Sequence, residues 1–461
     1  MSLDREEPDL GARSLNSVDS RLHGSQLRSR HSPAITPQEP ATDMETPTPT
    51  PASTRTPTLF RVETWSQALY APHSINIYHH ARRALVHGVN SSNLLLLFLP
   101  LGIVAGALGW NAVLVFAFNL LATIPLSALV SDASDKLSDE VGEVLGSLVN
   151  ATFGNSVELT AGILAVINGR SDIAQSVMIG SILSDLLLVR IDLPRLLFSF
   201  PTNNPIKVLG FCMLSAAWDK DLMPFNPAVA DTLSSLMIIT TMAIILPTAL
   251  ASALTTNSTQ VRNKIVEFSH GTALILLVLY ICYLYFQMKS HRHLFERAQH
   301  DHDDDPPSSS SQPIEQLVTL VGSAVGVVAC TYFMFQSMVS TAHTAHVSTS
   351  FIATILIPIA SNSAEAAAVI AVSRSGDIDF AISIIVSSIL QIGLCVIPII
   401  VILGWIIHQQ TSLDFDSFNT VILFFSVLAV NYMLREGKYS YIHGIMLVGY
   451  YVILTIAFVF R

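Results

Sequence analysis

Long apolar stretches alternate with short polar connections from Asn93 to the end of the chain. Runs of roughly 18 or more apolar residues predict membrane-crossing helices, because a helix satisfies its own backbone polar groups inside hydrocarbon. The pattern therefore predicts an all-α polytopic membrane protein with about eleven transmembrane helices. The predicted spans are 93–109, 111–130, 143–168, 172–188 with a later continuation, 228–252, 265–288, 314–340, 350–373, 378–407, 418–434 and 441–460.

Polar segments divide the chain into parts. The N-terminal part is rich in Ser, Thr, Pro and charge, a composition that predicts disorder because it offers no core to bury. In chain order, the predicted parts are a disordered tail at 1–60, a cytosolic pre-membrane segment at 61–92, a first membrane helix at 93–109, a repeat at 111–288, an acidic cytosolic loop at 289–313 and a second repeat at 314–460.

Basic residues of the short connections fall mainly on one side of the predicted membrane. Arg82 and Arg83 precede the first span, Lys289 follows the sixth, and Arg435 and Lys438 lie between the tenth and eleventh. Because cytosolic loops carry an excess of Lys and Arg, this bias predicts that the N-terminus and the acidic loop are cytosolic.

Composition excludes several classes of function. The chain is 51% apolar and 13% charged, with a net charge of −10, which disfavours nucleic acid and leaves the lipid bilayer as the expected partner. The four cysteines lie in apolar segments without metal-ligand spacing, as expected of small buried hydrophobic residues. We expect neither an enzyme nor a cofactor, and the oligomeric state is left open.

An internal repeat emerges when the chain is shifted against itself by 207 residues. Asn155-Ser-Val-Glu158 then aligns with Asn362-Ser-Ala-Glu365, and Ser181-Ile-Leu183 with Ser388-Ile-Leu390. From 155 to 187, 13 of 33 positions are identical. The motifs lie five predicted spans apart, and an odd interval reverses the direction of the chain through the membrane. The sequence therefore predicts two inverted five-helix repeats with a site where they meet.

Carboxylates inside a membrane are costly and indicate a function. Glu158 and Glu365 hold equivalent positions, with no Lys or Arg beside either motif, and we predict that both bind metal. Without a cation, two close carboxylates cannot both stay ionised, so protons and a hard cation such as Ca²⁺ would compete for one site, as in antiport. The side chains that complete the predicted cation/proton site are Asn155, Asn362, Ser181, Ser388 and Gln391.

Three acidic residues, Asp132, Asp135 and Asp139, follow the second predicted span. One interpretation is that they attract cations to the entrance of the site. The other is an ordinary solvated helix end, which the spacing fits equally well.

With these residues placed, the chain from about Asn90 onward resembles the calcium/proton exchanger family of vacuolar membranes, particularly its fungal members. The resemblance rests on the segments Asn150-Ala-Thr-Phe-Gly-Asn-Ser-Val-Glu-Leu159, Gly180-Ser-Ile-Leu-Ser184 and Phe118-Asn-Leu-Leu-Ala-Thr-Ile-Pro125. It implies transport of Ca²⁺ into the vacuole in exchange for H⁺, with Glu158 and Glu365 as the transport carboxylates. Mn²⁺ is a second candidate cargo.

Several positions depart from the pattern of that family. Ser361-Asn-Ser-Ala-Glu-Ala366 stands where the family has Gly-Asn-Ala-Ala-Glu-His, Val386-Ser-Ser388 replaces Gly-Ser-Ser, and Asp185 stands at an expected Asn. These departures keep two alternatives open. One is a sodium- or potassium-coupled calcium exchanger, and the other is a transport-inactive membrane regulator.

Nineteen residues at 189–207 interrupt the fourth predicted span. They include Arg190, Asp192 and three prolines, which cannot continue a membrane helix. Joining Leu188 directly to Val208 restores both the helix and the register of the repeat. We interpret the segment as a translated, unspliced intron, with a genuine insertion as the alternative.

Overall fold

The structure is a computed structural model that describes residues 95–141, 143–187, 223–224, 227–254, 259–290, 313–363, 365–366, 369, 378–435 and 438–461. The predicted tail at 1–60, the segment at 61–92, the insertion at 189–207 and the acidic loop apart from its two ends lie outside these residues.

The described chain is almost entirely helical. Its helices are α1 (Phe98–Ala107), α2 (Ala112–Val141), α3 (Glu143–Gly154), α4 (Ser156–Ile167), α5 (Ser171–Leu187), α6 (Pro227–Ala253), α7 (Thr259–Tyr285, extended by a π-helical turn Phe286–Ser290), α8 (Pro313–Ala345), α9 (Thr349–Ser361, π-helical over Ile352–Leu356), α10 (Ile378–Gln391, Ile392–Val396 in π form, Ile397–Ile406), α11 (Ser417–Arg435) and α12 (Tyr441–Val459). Two short strands, β1 (Met223–Pro224) and β2 (Lys438–Tyr439), pair antiparallel.

Seven of the described helices are long and apolar enough to cross a membrane, and three shorter apolar helices accompany them, at Leu95–Ala107, Ser156–Ile167 and Thr349–Ser361. An all-α membrane protein is therefore confirmed, whereas the number of eleven crossings remains a prediction. The helix predicted at 111–130 continues to Val141, because Ala133 and Leu137 extend its buried stripe beyond the apolar run.

Both Asn-Ser-x-Glu motifs break a helix. The span predicted as continuous over 143–168 is divided at Asn155, whose φ of −99° and ψ of 30° leave the helical region. Helix α9 likewise ends at Ser361, and Asn362 has φ −80° and ψ 1°. The backbone N–H of Leu159 donates to Asn155 O, and that of Ala366 donates to Asn362 O, both at 2.9 Å. The two halves thus restart a helix in the same way, just before each glutamate.

Helix α5 is the centre of the described structure. Fourteen of its seventeen residues are buried, and α4, α9, α10, α11 and α12 all pack against it. A helix buried on every side belongs to the interior of a large helical protein. The buried polar side chains of α5, among them Ser181, Ser184 and Asp185, are consequently held away from both lipid and bulk water.

One end of the bundle is defined by the connection between α10 and α11. Gln175, near the start of α5, donates to the carbonyl oxygens of Ser412 (2.8 Å) and Asp414 (3.1 Å). Helix α5 therefore begins at the end of the bundle where α10 finishes. The two helices carry the equivalent serines and run in opposite directions, as the inverted repeat predicts.

Asp416 caps α11 at the same end. Its Oδ2 accepts from the backbone N–H groups of Phe418 (3.0 Å) and Asn419 (3.2 Å), and its Oδ1 accepts from Arg461 Nη2 (2.5 Å). Burial alone would raise the pKa of Asp416, but the hydrogen bonds from Arg461 and from the two N–H groups, together with the charge of Arg461, hold that pKa below its usual value.

Replacing Asp416 with Ala is expected to destabilise the protein by about 1 kcal/mol, a typical cost for a lost N-cap. Because the folded-state pKa lies below the unfolded one, this stabilisation is present above the unfolded pKa of about 3.9 and is lost as the pH falls through the folded value. Thermal unfolding of the purified protein in detergent, followed from neutral to strongly acidic pH, measures it. Asp416→Asn keeps the cap acceptor and should lose this pH dependence. An unchanged acid profile in that variant would contradict the assignment.

Candidate cation site

Glu158 lies in the first turn of α4, where the positive end of the helix dipole faces a carboxylate. Only 2% of its surface is exposed. Its Oε1 accepts hydrogen bonds from Ser181 Oγ on α5 at 2.7 Å and from Ser361 Oγ at the end of α9 at 2.5 Å. One donor comes from each half of the chain, so this carboxylate already joins the two repeats.

Glu365 follows the second helix break and is less deeply buried. Its Oε2 accepts from Ser388 Oγ on α10 at 3.1 Å. Glu158 with Ser181 and Glu365 with Ser388 are both pairs separated by 23 residues. The inverted repeat thus reproduces one hydrogen bond twice, between the residues that the alignment of the two motifs had singled out.

A third buried carboxylate, Asp185, joins the network, and the sequence analysis did not assign it to the site. Its Oδ1 accepts from Asn362 Nδ2 at 2.6 Å, and its Oδ2 accepts from Ser388 Oγ at 2.9 Å. Asp185 lies four residues after Ser181, and that spacing puts both side chains on the same face of α5. The four-residue spacing from Ser181 was the feature of the sequence that could have assigned Asp185 to the site.

Ser361 is the second residue that the sequence analysis left out of the site. It stands at a position where the resembling family has glycine, and its hydroxyl contacts both Glu158 Oε1 and Asn362 Oδ1, the latter at 3.2 Å. Asn362 in turn lies between the glutamate and aspartate groups, since its Oδ1 is 3.4 Å from Ser181 Oγ while its Nδ2 bonds Asp185. The amide therefore links Ser181 and Asp185 of the first half to Ser361 of the second.

The remaining predicted ligands pair with each other across the halves. Asn155 Nδ2 donates to Gln391 Oε1 at 3.2 Å. Asn155 is buried beside the first helix break, and Gln391 precedes the π-helical turn of α10. The seven predicted cation/proton-site residues thus form two hydrogen-bonded groups, the pair Asn155 and Gln391 and the other five around Asp185, and we call both groups together the polar layer.

Proton counting shows what this layer lacks. A serine hydroxyl carries one hydrogen, so Ser388 can donate to Asp185 or to Glu365 but not to both at once. The other carboxylate oxygen then needs a proton or a cation of its own, because a buried charge must be compensated. The hydrogen bonds that reach the three carboxylates come from serine hydroxyls and one amide, with no Lys or Arg among these donors.

The predicted entrance aspartates lie on α2, and Asp135 among them is close enough to Glu365 for the charges of the two carboxylates to interact. Asp132 is exposed and forms an ion pair with Lys136 at 2.6 Å, one turn along α2. Asp135 is also exposed, and the side chain of Asp139 lies outside the described part of the chain. Their proposed role in attracting cations stays a prediction.

Within the described ranges, no three acidic, His or Cys side chains are already grouped closely enough to hold a metal. Serine hydroxyls and the Asn362 amide separate the three carboxylates instead. The layer offers hard oxygen atoms, the ligand type that Ca²⁺ prefers, and lacks the sulfur and imidazole groups suited to zinc or copper among the residues named above.

Helices α5 and α9 touch beside this layer at Gly180. A Cβ placed there would lie 2.2 Å from the carbonyl oxygen of Thr354 and 2.6 Å from its Cα, and backbone atoms cannot yield as a flexible side chain can. Gly180→Ala is therefore expected to force the helices apart and to lower stability by about 1–3 kcal/mol, as overpacking does. Thermal unfolding in detergent measures the change.

Gly322 in α8 provides the matched control, because a Cβ there meets nothing within 4 Å. Gly322→Ala should be neutral or slightly stabilising, since alanine favours a helix by about 1 kcal/mol over glycine. Equal unfolding temperatures for the two variants would show that the contact at Gly180 does not limit the packing.

Comparison with known proteins shows where similar sequences occur. The model of the family described as sodium/calcium exchanger protein matches residues 111–190 and 315–460. A vacuolar calcium ion transporter of Schizosaccharomyces pombe is 35% identical over 374 residues, which cover 79% of this chain and 84% of that protein. A Ca²⁺/H⁺ antiporter of Aphanothece halophytica is 30% identical, covering 80% of this chain and 95% of the relative. Vacuolar cation/proton exchanger 2 of Oryza sativa subsp. japonica is 31% identical over 79% of this chain and 80% of its own.

Two solved structures share the fold. The structure of native YfkE superposes with a TM-score of 0.64 at 24% identity, covering 80% of this chain and 99% of that one. The crystal structure of an H⁺/Ca²⁺ exchanger named CAX gives a TM-score of 0.58 at 15% identity, covering 79% and 87%. At these identities, the similarity concerns the arrangement of the helices alone.

Proposed function

Because the chain belongs to the sodium/calcium exchanger protein family, we propose that it is a secondary antiporter that moves Ca²⁺ across a membrane in exchange for H⁺. The observation that carries the proposal is the layer of cross-half hydrogen bonds around Glu158, Asp185 and Glu365. The names of the S. pombe, A. halophytica and rice relatives support calcium and protons as the exchanged ions.

Calcium is the cargo that fits the oxygen chemistry of the layer. Ca²⁺ takes six to eight oxygen ligands, so carboxylates, serine hydroxyls, amide oxygens, backbone carbonyls and water would surround it together. Glu158 and Glu365 are the proposed metal ligands, and we expect the two helix breaks to turn their carboxylates and nearby carbonyls toward one point when the cation binds. Mn²⁺ also prefers oxygen ligands and remains the second proposed cargo.

Protons and calcium would compete because they satisfy the same oxygens. With a proton on Asp185 or Glu365, the Ser388 hydroxyl donates to one of these carboxyl groups and accepts from the other, and this part of the layer is hydrogen-bonded without metal. Calcium entering the layer would displace that proton and replace the serine bonds by coordination. Each ion leaves the site only when the other takes its place, and this mutual exclusion couples the two flows.

Movement of the two halves would expose the layer to one side of the membrane at a time. Ser361 to Glu158, Ser388 to Asp185 and Asn155 to Gln391 all join one half to the other. An uncompensated carboxylate layer would resist closure, since charge transferred into hydrocarbon is costly. The loaded site, with either protons or calcium, removes that cost and allows the halves to rearrange.

We place the protein in the vacuolar membrane, with its N-terminus and acidic loop in the cytosol. The vacuolar names of the fungal and plant relatives support the compartment, and the distribution of Lys and Arg supports the orientation. Calcium would then enter the vacuole as protons leave it.

Reconstituted vesicles test the function directly. Uptake of ⁴⁵Ca²⁺ should require an outward-directed proton gradient, should collapse when a protonophore is added, and should be reduced by excess Mn²⁺. A sodium or potassium gradient without a proton gradient should drive no uptake. Uptake driven by sodium or potassium would identify the coupled exchanger instead, and no uptake under any gradient would identify the transport-inactive regulator.

A further inference from the structure

The two halves contribute unequal numbers of carboxylates to the polar layer. The position equivalent to Asp185 in the second half is Ile392, which is fully buried at the start of the π-helical turn of α10. Among the described residues joined by the hydrogen bonds of this layer, the first half therefore supplies the carboxylates of Glu158 and Asp185, and the second supplies that of Glu365. The repeat by itself would give a site with two carboxylates, and Asp185 makes it three.

Asp185 shares its hydrogen-bond partners with both glutamates. Ser388 contacts Asp185 Oδ2 at 2.9 Å and Glu365 Oε2 at 3.1 Å. Asn362 bonds Asp185 through its nitrogen, and its oxygen lies 3.2 Å from the hydroxyl of Ser361, which donates to Glu158. A cation that replaces these shared partners would face all three carboxylates, so Asp185 would be a direct ligand of the cargo.

When all three carboxylates are ionised around a bound cation, they carry more negative charge than a divalent ion can neutralise. We propose that the site takes trivalent cations of the size of Ca²⁺, such as Tb³⁺, in preference to Ca²⁺, and that Asp185 is the residue that confers this preference. Coulomb attraction to a ligand grows in proportion to the charge of the ion. Each ionised carboxylate therefore attracts a trivalent ion more strongly than a divalent ion that has the same size and the same preference for oxygen ligands. The inference rests on the proposed cation function of the same layer.

The test is equilibrium binding of ⁴⁵Ca²⁺ to the purified full chain in detergent, with displacement by TbCl₃, at one fixed pH for every variant, because protons compete with both cations for the carboxylates. In the unmodified protein, Tb³⁺ should bind more tightly than Ca²⁺. Asp185→Asn keeps the side-chain shape and one oxygen for Ser388. The substitution should weaken the binding of both ions. The decrease in the logarithm of the affinity should be about 1.5 times larger for Tb³⁺ than for Ca²⁺, which is the ratio of their charges.

Asp172→Asn is the matched control on the same helix. Asp172 lies at the exposed start of α5, where it pairs with Arg170, and its replacement should leave both affinities unchanged. Equal losses of affinity for Ca²⁺ and Tb³⁺ in Asp185→Asn would overturn the proposal. Tighter binding of Ca²⁺ than of Tb³⁺ by the unmodified protein would also overturn it, and this measurement needs no variant. Absence of ⁴⁵Ca²⁺ binding to the unmodified protein would overturn the proposed function as well, so the two failures are distinguishable.

Discussion

Replacing Glu158 with Gln, or Glu365 with Gln, should each reduce proton-driven ⁴⁵Ca²⁺ uptake to background while the protein still folds. Glutamine keeps the shape of the side chain and an oxygen that can accept from Ser181 or Ser388. It removes both the charge that holds the cation and the group that carries the proton, so both legs of the exchange stop. Losing even an outer partner of a metal ligand costs about 10- to 100-fold in affinity or activity, and a ligand itself should cost roughly 100-fold or more.

Glu267→Gln is the control for these variants. It makes the same chemical change at an exposed residue of α7, which is distant from the polar-layer residues in the sequence. Its uptake should match that of the unmodified protein. Circular dichroism and thermal unfolding should show that all three variants retain their helices. Near-normal uptake by either site variant would mean that its carboxylate is not a primary ligand, and the symmetric site would then be wrong.

The helices and the central pair of motifs were predictable because membrane helices leave a long apolar signal and because an exact shift of 207 residues aligns rare intramembrane polar groups. The break at Asn155 was not predicted, since hydropathy reads only the burial preference of side chains. Asn155 is polar, yet the apolar run continues on both sides of it, so hydropathy shows no interruption at the break. What interrupts the helix is the local backbone conformation of Asn155, three residues before Glu158.

Asp185 and Ser361 were both noticed in the sequence only as departures from a family pattern. The structure brings these departures together in one layer, where Ser361 donates to Glu158 and Asp185 accepts from Ser388. One substitution adds a hydroxyl donor and the other adds a carboxylate. Their proximity depends on the packing of α5 against α9, and a linear sequence does not reveal which departures will meet.

Deleting 189–207 is expected to give the second large effect, an increase of several-fold in proton-driven Ca²⁺ uptake. Helix α5 carries Ser181 and Asp185 close to Leu187, its last described residue. In the sequence, Arg190, Asp192 and three prolines follow at once, and a helix in hydrocarbon does not tolerate them in this number. Joining Leu188 to Val208 would instead extend α5 with the apolar run that begins Val208-Leu-Gly-Phe-Cys-Met213. The longer helix would anchor the site residues and raise the thermal stability of the protein.

Two measurements decide whether the segment is a retained intron. Sequencing of the messenger RNA should find a transcript that lacks 57 bases, three for each of the nineteen residues. The shortened protein, reconstituted at the same density, should take up ⁴⁵Ca²⁺ faster and unfold at a higher temperature than the full chain. A deletion of equal length in the N-terminal tail, 21–39, is the control for chain length and should leave uptake unchanged. If only the longer transcript exists and the deletion abolishes uptake, the segment is a genuine insertion on which α5 depends.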